Sequence, residues 1–217
     1  MSAALRQAEA PDWWPDWAGE SVAIVASGPS TKKSGVKQLR GRLRIIAIKE
    51  NFDLCPWADV VYGCDGAWWK NRIGLRDFCG LKISHDKTLR TDYPDIKTIE
   101  IDVKRDEMLT GQPGFLGSGG NSGFQAVNLA VQFGVSRILL VGFDMHDRSG
   151  VHWYGRNNGP GRNNPNEDNF RRWRAAFVRA SVRLKELGVS VVNASQISDL
   201  QCFPKMSIER VIEEWRI

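Results

Sequence analysis

The sequence predicts an α/β protein with a single, mainly parallel sheet flanked by helices. Short apolar runs rich in β-branched residues alternate with segments of helical periodicity, which is the pattern of βαβ units. A chain of 217 residues fits one domain better than two, so residues 1–217 are expected to form one unit. The predicted strands are Val22–Ala26, Leu43–Ile48, Asp59–Tyr62, Lys97–Ile101, Arg137–Val141 and Val189–Val192.

Two helices are predicted with clear C-terminal boundaries. Ser122–Phe133 and Glu167–Leu187 carry apolar residues at spacings of three and four. Gly134 and Gly188 follow them directly, and a glycine just past a helix accepts the left-handed conformation of a C-cap. Leu81–Ser84 is a candidate short strand.

Three segments are less regular. Lys70–Pro113 mixes basic residues with weak periodicity and is a candidate lid, and it ends in the predicted loop Thr110–Gly114. The loop 147–165 is rich in glycine and asparagine, and loops of this length are often functional. The N-terminal arm 1–20 is expected to pack on the sheet or on a partner, with core packing favoured. The arm carries Trp13, Trp14 and Trp17.

The composition argues against a membrane-spanning or secreted protein. Hydrophobic residues make up 42% and charged residues 25% of the chain, as in soluble globular proteins. The apolar runs are too short to cross a bilayer, and the first 20 residues lack the apolar centre of a secretory signal. We therefore expect a cytoplasmic protein. The net charge of +5 suits a phosphate-rich ligand, a nucleic acid or neither.

The cysteines and histidines give no metal-site pattern. The four cysteines lack C-x-x-C spacing and are expected to be buried free thiols. Carboxylate and imidazole groups crowd between Asp144 and His152, but without a recognised ligand spacing, so no metal site is predicted. His85 is expected to be an exposed loop histidine without a role. The cysteines are Cys55, Cys64, Cys79 and Cys202.

Two glycine-containing turns suggest a nucleotide pocket. The first predicted strand runs into Ser27-Gly28-Pro29-Ser30, and a glycine-rich loop over 117–123 opens the first predicted helix. Such turns present backbone N–H groups to phosphates in many α/β proteins. Neither turn has the spacing of the dinucleotide fingerprint or of the Walker loop. Ordinary strand-to-helix turns are the alternative reading of both.

Polar residues follow several predicted strands directly. Because ligands bind outside the carboxyl ends of parallel strands, these residues are candidates for one site. They are Ser27, Gly28, Pro29 and Ser30 after the first strand, Lys49, Glu50 and Asn51 after the second, Cys64, Asp65 and Gly66 after the third, and Asp144 and His146 after Arg137–Val141.

The chain resembles a known family at several of these motifs. The motifs are the Gly28-Pro29-Ser30 turn, Asn51 at the end of the second strand, the helix start Ser122-Gly123, and a strand that ends in Gly142-Phe143-Asp144. Together they resemble sialyltransferase-like proteins, a Rossmann-like group that includes bacterial sialyltransferases and hydroxymethylpterin pyrophosphokinases. The resemblance implies a small single-domain member of a kind that occurs in phages and prophages.

The resemblance also implies a donor and its contacts. In the sialyltransferases these motifs contact the nucleotide of a CMP-sugar, which implies that role for Gly28, Ser30, Asn51, Ser122 and Gly123. An asparagine side chain can recognise a base or ribose edge. The donor is then a nucleotide-sugar, or a nucleoside triphosphate in the pyrophosphokinase branch. Mg²⁺ bound through the nucleotide phosphates is left open as a cofactor.

The family places its general base in a pattern like His-x-x-Gly-His after the Gly-x-Asp strand. Here the segment reads His152-Trp153-Tyr154-Gly155-Arg156, so an arginine replaces the second histidine. His152 or His146 is the candidate base, with Asp144 beside them in sequence. Arg156 suits a phosphate or a carboxylate of the substrates, because its guanidinium is bidentate and permanently charged. The chain is thus predicted to be a transferase, or alternatively a nucleotide-binding protein without catalysis.

Two further groups of residues point to other ligands. Trp68, Trp69, Trp153 and Tyr154 are placed in loops near the site, where their rings could stack on a base or a sugar. Five arginines lie on the predicted helix over 167–187, where a solvated basic face is the default reading and phosphate binding the alternative. A base in DNA is then a candidate acceptor. The arginines are Arg171, Arg172, Arg174, Arg179 and Arg183.

Overall fold

A parallel sheet of seven strands forms the centre of the fold, as the sequence predicts. The computed structural model of the protein describes residues 9–158 and 163–217. The strands are β1 (Ser21–Val25), β2 (Arg44–Ile48), β3 (Val60–Tyr62), β4 (Leu81–Ser84), β5 (Ile96–Thr98), β6 (Glu100–Asp102), β7 (Phe115–Gly117), β8 (Arg137–Val141) and β9 (Ser190–Asn193). The main sheet has the order β5-β4-β3-β2-β1-β8-β9, and β6 pairs with β7 in a separate parallel ribbon.

The strand order reverses at β1. The chain runs outward from β1 through β2 to β5 and then returns to β8 on the other side of β1. In the register of the sheet, Ile24 lies opposite Ile46 on one side and Leu140 on the other. A reversal of this kind leaves a crevice outside the carboxyl ends of the two adjacent strands. The fold therefore places a crevice where β1 and β8 end.

Five α-helices accompany the sheet in the described part of the chain. They are α1 (Gly66–Asn71), α2 (Leu89–Asp92), α3 (Ser122–Gln132), α4 (Glu167–Glu186) and α5 (Ile208–Trp215). The predicted helices α3 and α4 end within one residue of the expected boundaries, and Gly134 and Gly188 have the positive φ values of 91° and 72° expected of C-caps. Helix α5 has no counterpart in the prediction, although Ser207 caps it by accepting a hydrogen bond from the Arg210 amide.

The core lies on both faces of the sheet. Alternation along β1 places Val22 and Ile24 in one cluster and Ala23 and Val25 in the other. The first cluster packs under α3 and α4, and in it the ring of Phe177 contacts those of Phe124 and Phe143 edge-to-face. Each large apolar side chain buried in this way contributes about 1.5–3 kcal/mol. The buried sheet thus holds the strand ends in fixed positions.

The described part of the N-terminal arm packs against the end of α3. Trp14 and Trp17 each contact the ring of Phe133 edge-on, with centroid distances of 4.8 and 4.9 Å. Trp17 is only 5% exposed and belongs to the core. These contacts correspond to the core packing that the sequence favoured. Residues 1–8 of the predicted arm lie outside the described residues.

The segment Lys70–Pro113 is not a lid. It contains the candidate strand Leu81–Ser84, which is β4, together with β5 at the sheet edge. Its basic composition is misleading because Lys82 is buried within β4, where its ammonium donates to the carbonyls of Gly74 and Leu75 and pairs with Asp95. A buried lysine with a full set of acceptors is compatible with a strand interior.

The predicted strand Lys97–Ile101 is two strands. Ile99 is buried between them, and its amide donates to the carbonyl of Ser84 at 3.0 Å. Beyond this point the chain leaves the main sheet, and Glu100–Asp102 pairs with Phe115–Gly117. The second of these strands was not predicted, because its glycine-flanked sequence is typical of a loop.

Two expectations about single residues need correction. All four cysteines are free, but only Cys55 is buried, and Cys79 is exposed. Burial raises the pKa of the Cys55 thiol to about 12 and that of Cys202 to about 11. His85 is half-buried rather than exposed, and its Nδ1 is buried without a hydrogen-bond partner among the described residues.

Candidate functional site

A cavity of about 570 Å³ lies at the carboxyl ends of β1, β2, β3 and β8. Its other walls are the N-terminus of α3, the first two turns of α4 and parts of the loop 147–165. Residues 159–162 of that loop lie outside the described residues. A second groove of about 480 Å³ beside α4 and β9 has Lys185 as its one charged described residue. Convergent polar groups distinguish binding sites, so the strand-end cavity is the candidate site.

The cavity brings together most of the residues that the sequence singled out. Pro29, Ser30, Asn51 and Arg156 are not among the described residues of its wall. The predicted residues that line it are Ser27, Gly28, Asp65, Ser122, Gly123, Asp144, His146 and His152.

The turn after β1 uses its backbone amides internally. The amide of Gly28 donates to the Gly142 carbonyl at 3.0 Å, and the Ser30 amide donates to the Asp144 carboxylate at 2.9 Å. A side chain at Gly28 would lie 2.5 Å from the Gly142 oxygen, so only glycine allows this close approach. Contrary to the expectation from the sequence, these two amides are not free to bind a phosphate. They join the turn to the segment that follows β8.

Asp144 holds this turn in place. Its side chain is 2% exposed and accepts hydrogen bonds from both the amide and the hydroxyl of Ser30. The Ser30 hydroxyl also lies 3.0 Å from the Ser195 hydroxyl. A buried carboxylate that is satisfied by such bonds positions the backbone around it. In this structure Asp144 therefore supports the site from beneath.

The N-terminus of α3 faces the cavity with free amides. Asn121 caps the helix by accepting from the Phe124 amide at 2.9 Å. The amides of Ser122 and Gly123, which lie between the cap and Phe124, have no acceptor among the described residues. Both residues line the cavity. Together with the helix dipole, free N–H groups at a helix start favour an anion. The glycine-rich loop thus supplies the anion-binding geometry that the first turn lacks.

His152 is a neutral histidine with a defined orientation. Its Nδ1 lies 2.8 Å from the Ser27 hydroxyl, and its Nε2 lies 3.2 Å from the amide nitrogen of Asn157. Because an amide nitrogen can only donate, this network assigns the imidazole proton to Nδ1 and the lone pair to Nε2. Burial, with help from the nearby charge of Lys49, lowers the pKa of His152 to about 4. The stacked ring of Tyr154 covers one face.

His146 has no free nitrogen. Its Nε2 lies 2.9 Å from the Ile197 carbonyl and must donate to it, while its Nδ1 accepts from the Arg148 amide at 3.2 Å. The ring is 4% exposed. Of the two candidate bases, His152 is the one whose Nε2 partner is a side-chain amide and not the backbone.

Lys49 follows β2 and projects into the cavity wall. Its backbone has a φ of 51°, in the left-handed region, and its ammonium pairs with Asp65. Burial opposes the charge of this ammonium, but Cys64, Asp65 and Glu50 outweigh it and raise the pKa of Lys49 above its usual value. Asp65 also caps α1 by accepting from the Trp68 amide at 3.2 Å. The sequence placed Lys49 at a strand end without assigning it a role.

Asn51 is fully buried beneath a tryptophan. Its side-chain nitrogen donates to the Ile48 carbonyl at 2.6 Å, and its oxygen accepts from the indole of Trp153 at 2.9 Å. In this conformation the Trp153 indole takes up the side-chain oxygen of Asn51, the residue to which the resemblance assigned nucleotide binding. Arg156 is exposed and lies outside the cavity wall.

The aromatic and basic groups match their predicted placement only in part. Trp153 and Tyr154 lie in the loop 147–165 as expected, and Tyr154 lines the cavity. Trp68 and Trp69 lie in α1 and are buried, not in loops, although Trp68 also lines the cavity. Each of the five arginines of α4 has a carboxylate partner, so this face offers no unpaired cluster of cations to DNA. The pairs are Arg171 with Asp168, Arg172 and Arg179 with Asp106, Arg174 with Glu167, and Arg183 with Glu186.

No group of three or more His, Cys, Asp or Glu side chains within residues 9–158 and 163–217 is arranged to hold a metal ion. In the same ranges, no helix is both long enough and apolar enough to cross a membrane.

The principal chemical groups of the cavity are the N-terminus of α3, the ammonium of Lys49 and the oriented neutral imidazole of His152.

Comparison with known proteins finds similarity of structure and not of sequence. No protein-family model matches the chain, and no curated protein matches it. The structure of the sialyltransferase CstII from Campylobacter jejuni with CMP is similar with a TM-score of 0.58 at 12% identity, over 88% of this chain and 86% of that chain. The same enzyme with CMP-3FNeuAc gives a TM-score of 0.56 at 13% identity, over 87% and 86%.

A third structure of this sialyltransferase, with a trisaccharide acceptor and CMP, gives a TM-score of 0.55 at 13% identity, over 87% of this chain and 86% of that chain. These likenesses show that the chain has a sialyltransferase-like fold. They give no support to the pyrophosphokinase branch or to a phage origin.

Proposed function

We propose that the protein is a glycosyltransferase that takes a CMP-sugar as donor and transfers the sugar to an acceptor hydroxyl. The observation that carries this proposal is the neutral, oriented imidazole of His152 in the strand-end cavity, which is also lined by the free amides at the N-terminus of α3. The cavity thus combines a base with an anion site, which are the two requirements of glycosyl transfer from a nucleotide.

The donor phosphate lies against the start of α3 in this proposal. The amides of Ser122 and Gly123 donate to its oxygens, and the dipole of the eleven-residue helix favours the negative charge. As the bond between the sugar and the phosphate oxygen breaks, the electron pair leaves with CMP. Fixed donors at the helix start stabilise that developing charge without reorganising during the reaction.

His152 acts as the general base. The Nε2 lone pair takes the proton of the acceptor hydroxyl while the acceptor oxygen forms its bond to the sugar. The Ser27 hydroxyl accepts from Nδ1–H and keeps the ring in the required tautomer. The acceptor hydroxyl takes the place of the Asn157 amide, which donates to Nε2 in the present structure. Arg156 is not needed for this step.

Three structures of one enzyme with the same fold support the choice of donor. The CstII structures contain CMP, CMP-3FNeuAc or CMP with a trisaccharide acceptor. A sugar hydroxyl is accordingly the acceptor group we favour, and the paired arginines of α4 give no reason to choose DNA.

Ligand-induced thermal stabilisation tests the donor class. A ligand that binds only the native state raises the unfolding temperature, by an amount set by its concentration and affinity. CMP is expected to stabilise the protein more than UMP, AMP or GMP at equal concentration, with no requirement for Mg²⁺. Stabilisation by ATP with Mg²⁺ and none by CMP would contradict the proposal and favour phosphoryl transfer.

The low pKa of His152 predicts the pH dependence of transfer. Because burial and Lys49 hold the pKa of His152 near 4, the ring stays neutral throughout the physiological range and its Nε2 lone pair remains available to accept a proton. The value of kcat/KM is expected to change little from pH 8 down to about 5 and to fall as the pH approaches about 4. A pH profile of CMP release measures this limb. An acid limb centred near the usual histidine value of about 6.5 would contradict the assignment.

A further inference from the structure

We propose that Lys49 binds the donor phosphate, exchanging its ion pair with Asp65 for one with the phosphate when the donor enters. This inference rests on the proposed function and assigns the cation of that same site. It gives Asp65 the role of holding the ammonium in the cavity wall until the phosphate arrives.

The position of Lys49 supports a role at a ligand. It follows β2 directly, at the edge of the sheet where the cavity opens, and it has a φ of 51° although it is not a glycine. A non-glycine residue in the left-handed region costs of the order of 1 kcal/mol and is often found at functional sites. The side chain is 29% exposed and lines the cavity, so it is held in the wall and still accessible to a ligand.

The carboxylates of the cavity wall make a cation necessary for phosphate binding. Among the described residues of the wall, Lys49 carries the single Lys or Arg side chain, against the carboxylates of Glu50, Asp65 and Asp144. Asp144 is satisfied by Ser30, but Glu50 and Asp65 would oppose an entering phosphate. A cation beside them offsets that repulsion, and the partial charge of a helix N-terminus alone is about half a unit.

Lys49 lies on the side of the cavity where α3 begins. Its partner Asp65 follows Cys64 in the chain, and the Cys64 sulfur lies 3.2 Å from the Ser122 hydroxyl at the start of α3. A phosphate held by the amides of Ser122 and Gly123 is therefore within reach of a lysine side chain from the neighbouring wall. The raised pKa of Lys49 keeps it charged at neutral pH.

A substitution at Asp65 is expected to change phosphate binding in the opposite direction to a substitution at Lys49. Its side chain pairs with Lys49 and also caps α1. Asparagine caps helices about as well as aspartate, so Asp65→Asn keeps the cap and removes the competing charge. The exchange predicts that this substitution strengthens phosphate binding, whereas loss of the lysine weakens it.

The test compares CMP with cytidine by isothermal titration, since the two ligands differ only in the phosphate. In Lys49→Gln the Kd of CMP is expected to rise about tenfold or more, whereas the Kd of cytidine stays unchanged. In Asp65→Asn the Kd of CMP is expected to fall by about threefold or more. Lys104→Gln, at an exposed lysine outside the cavity wall, is the matched control and leaves both values unchanged. Unfolding temperatures without ligand verify that each variant is folded.

Three results would overturn the inference in distinguishable ways. If wild-type protein binds CMP and Lys49→Gln binds it equally well, Lys49 is not the phosphate ligand and the proposed function stands. If the wild-type protein binds neither CMP nor cytidine, the proposed function fails and the role of Lys49 fails with it. Equal weakening of CMP and cytidine in Lys49→Gln also contradicts the proposal, because it indicates a disturbed cavity and not a lost phosphate contact.

Discussion

Replacement of His152 by alanine is expected to reduce sugar transfer by about 10²–10⁴-fold while leaving the affinity for CMP within about twofold. The imidazole accepts the acceptor proton in the proposed reaction but does not contact the donor phosphate. Loss of the base therefore lowers kcat and spares nucleotide binding. Initial rates of CMP release in the presence of acceptor, together with titration of CMP, measure the two effects separately.

A second histidine serves as the control for this variant. His85 is half-buried like His152 but lies outside the cavity wall, so His85→Gln is expected to retain transfer. His152→Gln can still donate a hydrogen bond to Ser27 yet has no lone pair of sufficient basicity, and is expected to be as inactive as His152→Ala. Transfer at the wild-type rate in both His152 variants would show that another group accepts the proton.

Asp144→Ala is expected to destabilise the protein by about 2–4 kcal/mol and to weaken CMP binding, because the turn that it holds forms part of the cavity wall. The carboxylate is buried and accepts two hydrogen bonds from Ser30, and hydrogen bonds to charged groups contribute about 1.5–3 kcal/mol each. Alanine leaves the half-buried Ser30 amide without its acceptor and frees the turn after β1. Denaturant unfolding and titration of CMP measure the two losses.

Asparagine at the same position separates stability from charge. Asp144→Asn retains an oxygen that can accept from the Ser30 amide, so we expect it to recover much of the stability that alanine loses. An Asp144→Ala protein with wild-type stability would contradict the positioning role. Wild-type stability in Asp144→Asn combined with complete loss of transfer would instead indicate that the carboxylate takes part in the chemistry.

Much of the fold could be predicted because its signals are local. Strands β1, β2 and β8 are apolar runs, and α3 and α4 are periodic and end at glycines, so hydrophobic pattern and C-cap chemistry define them. The rule that ligands bind at the carboxyl ends of parallel strands then places Ser27, Asp65 and Asp144 around one cavity. These features depend on residues that are near each other in the chain.

The features that the sequence did not predict depend on contacts between residues that are far apart in the chain. The amides of the first turn are occupied by Gly142 and Asp144, more than a hundred residues away, and no pattern within the turn indicates it. The cover of Trp153 over Asn51 is likewise a long-range contact. Lys82 adds to the basic character that suggested a lid over Lys70–Pro113, and only the carbonyls of Gly74 and Leu75 that accept from it show that it is a buried strand residue. Tertiary structure decides which polar groups remain free for a ligand.

The orientation of His152 also lies beyond what sequence can predict. The motif placed this histidine in a functional loop, but its tautomer depends on Ser27 and Asn157, and its low pKa depends on burial and on Lys49. None of these neighbours except Asn157 is close to it in the chain. The chemistry of the site is thus a property of the assembled strand ends.

Transfer from a CMP-sugar tests the central claim most directly. The protein is incubated with a CMP-activated sugar and an oligosaccharide acceptor, and CMP and the extended oligosaccharide are quantified by chromatography with mass spectrometry. The account predicts equal amounts of CMP and extended product with wild-type protein, and about 10²–10⁴-fold less of both with His152→Ala. Absence of both products across CMP-sugars, with a folded protein that binds CMP, would contradict catalysis and leave a nucleotide-binding protein.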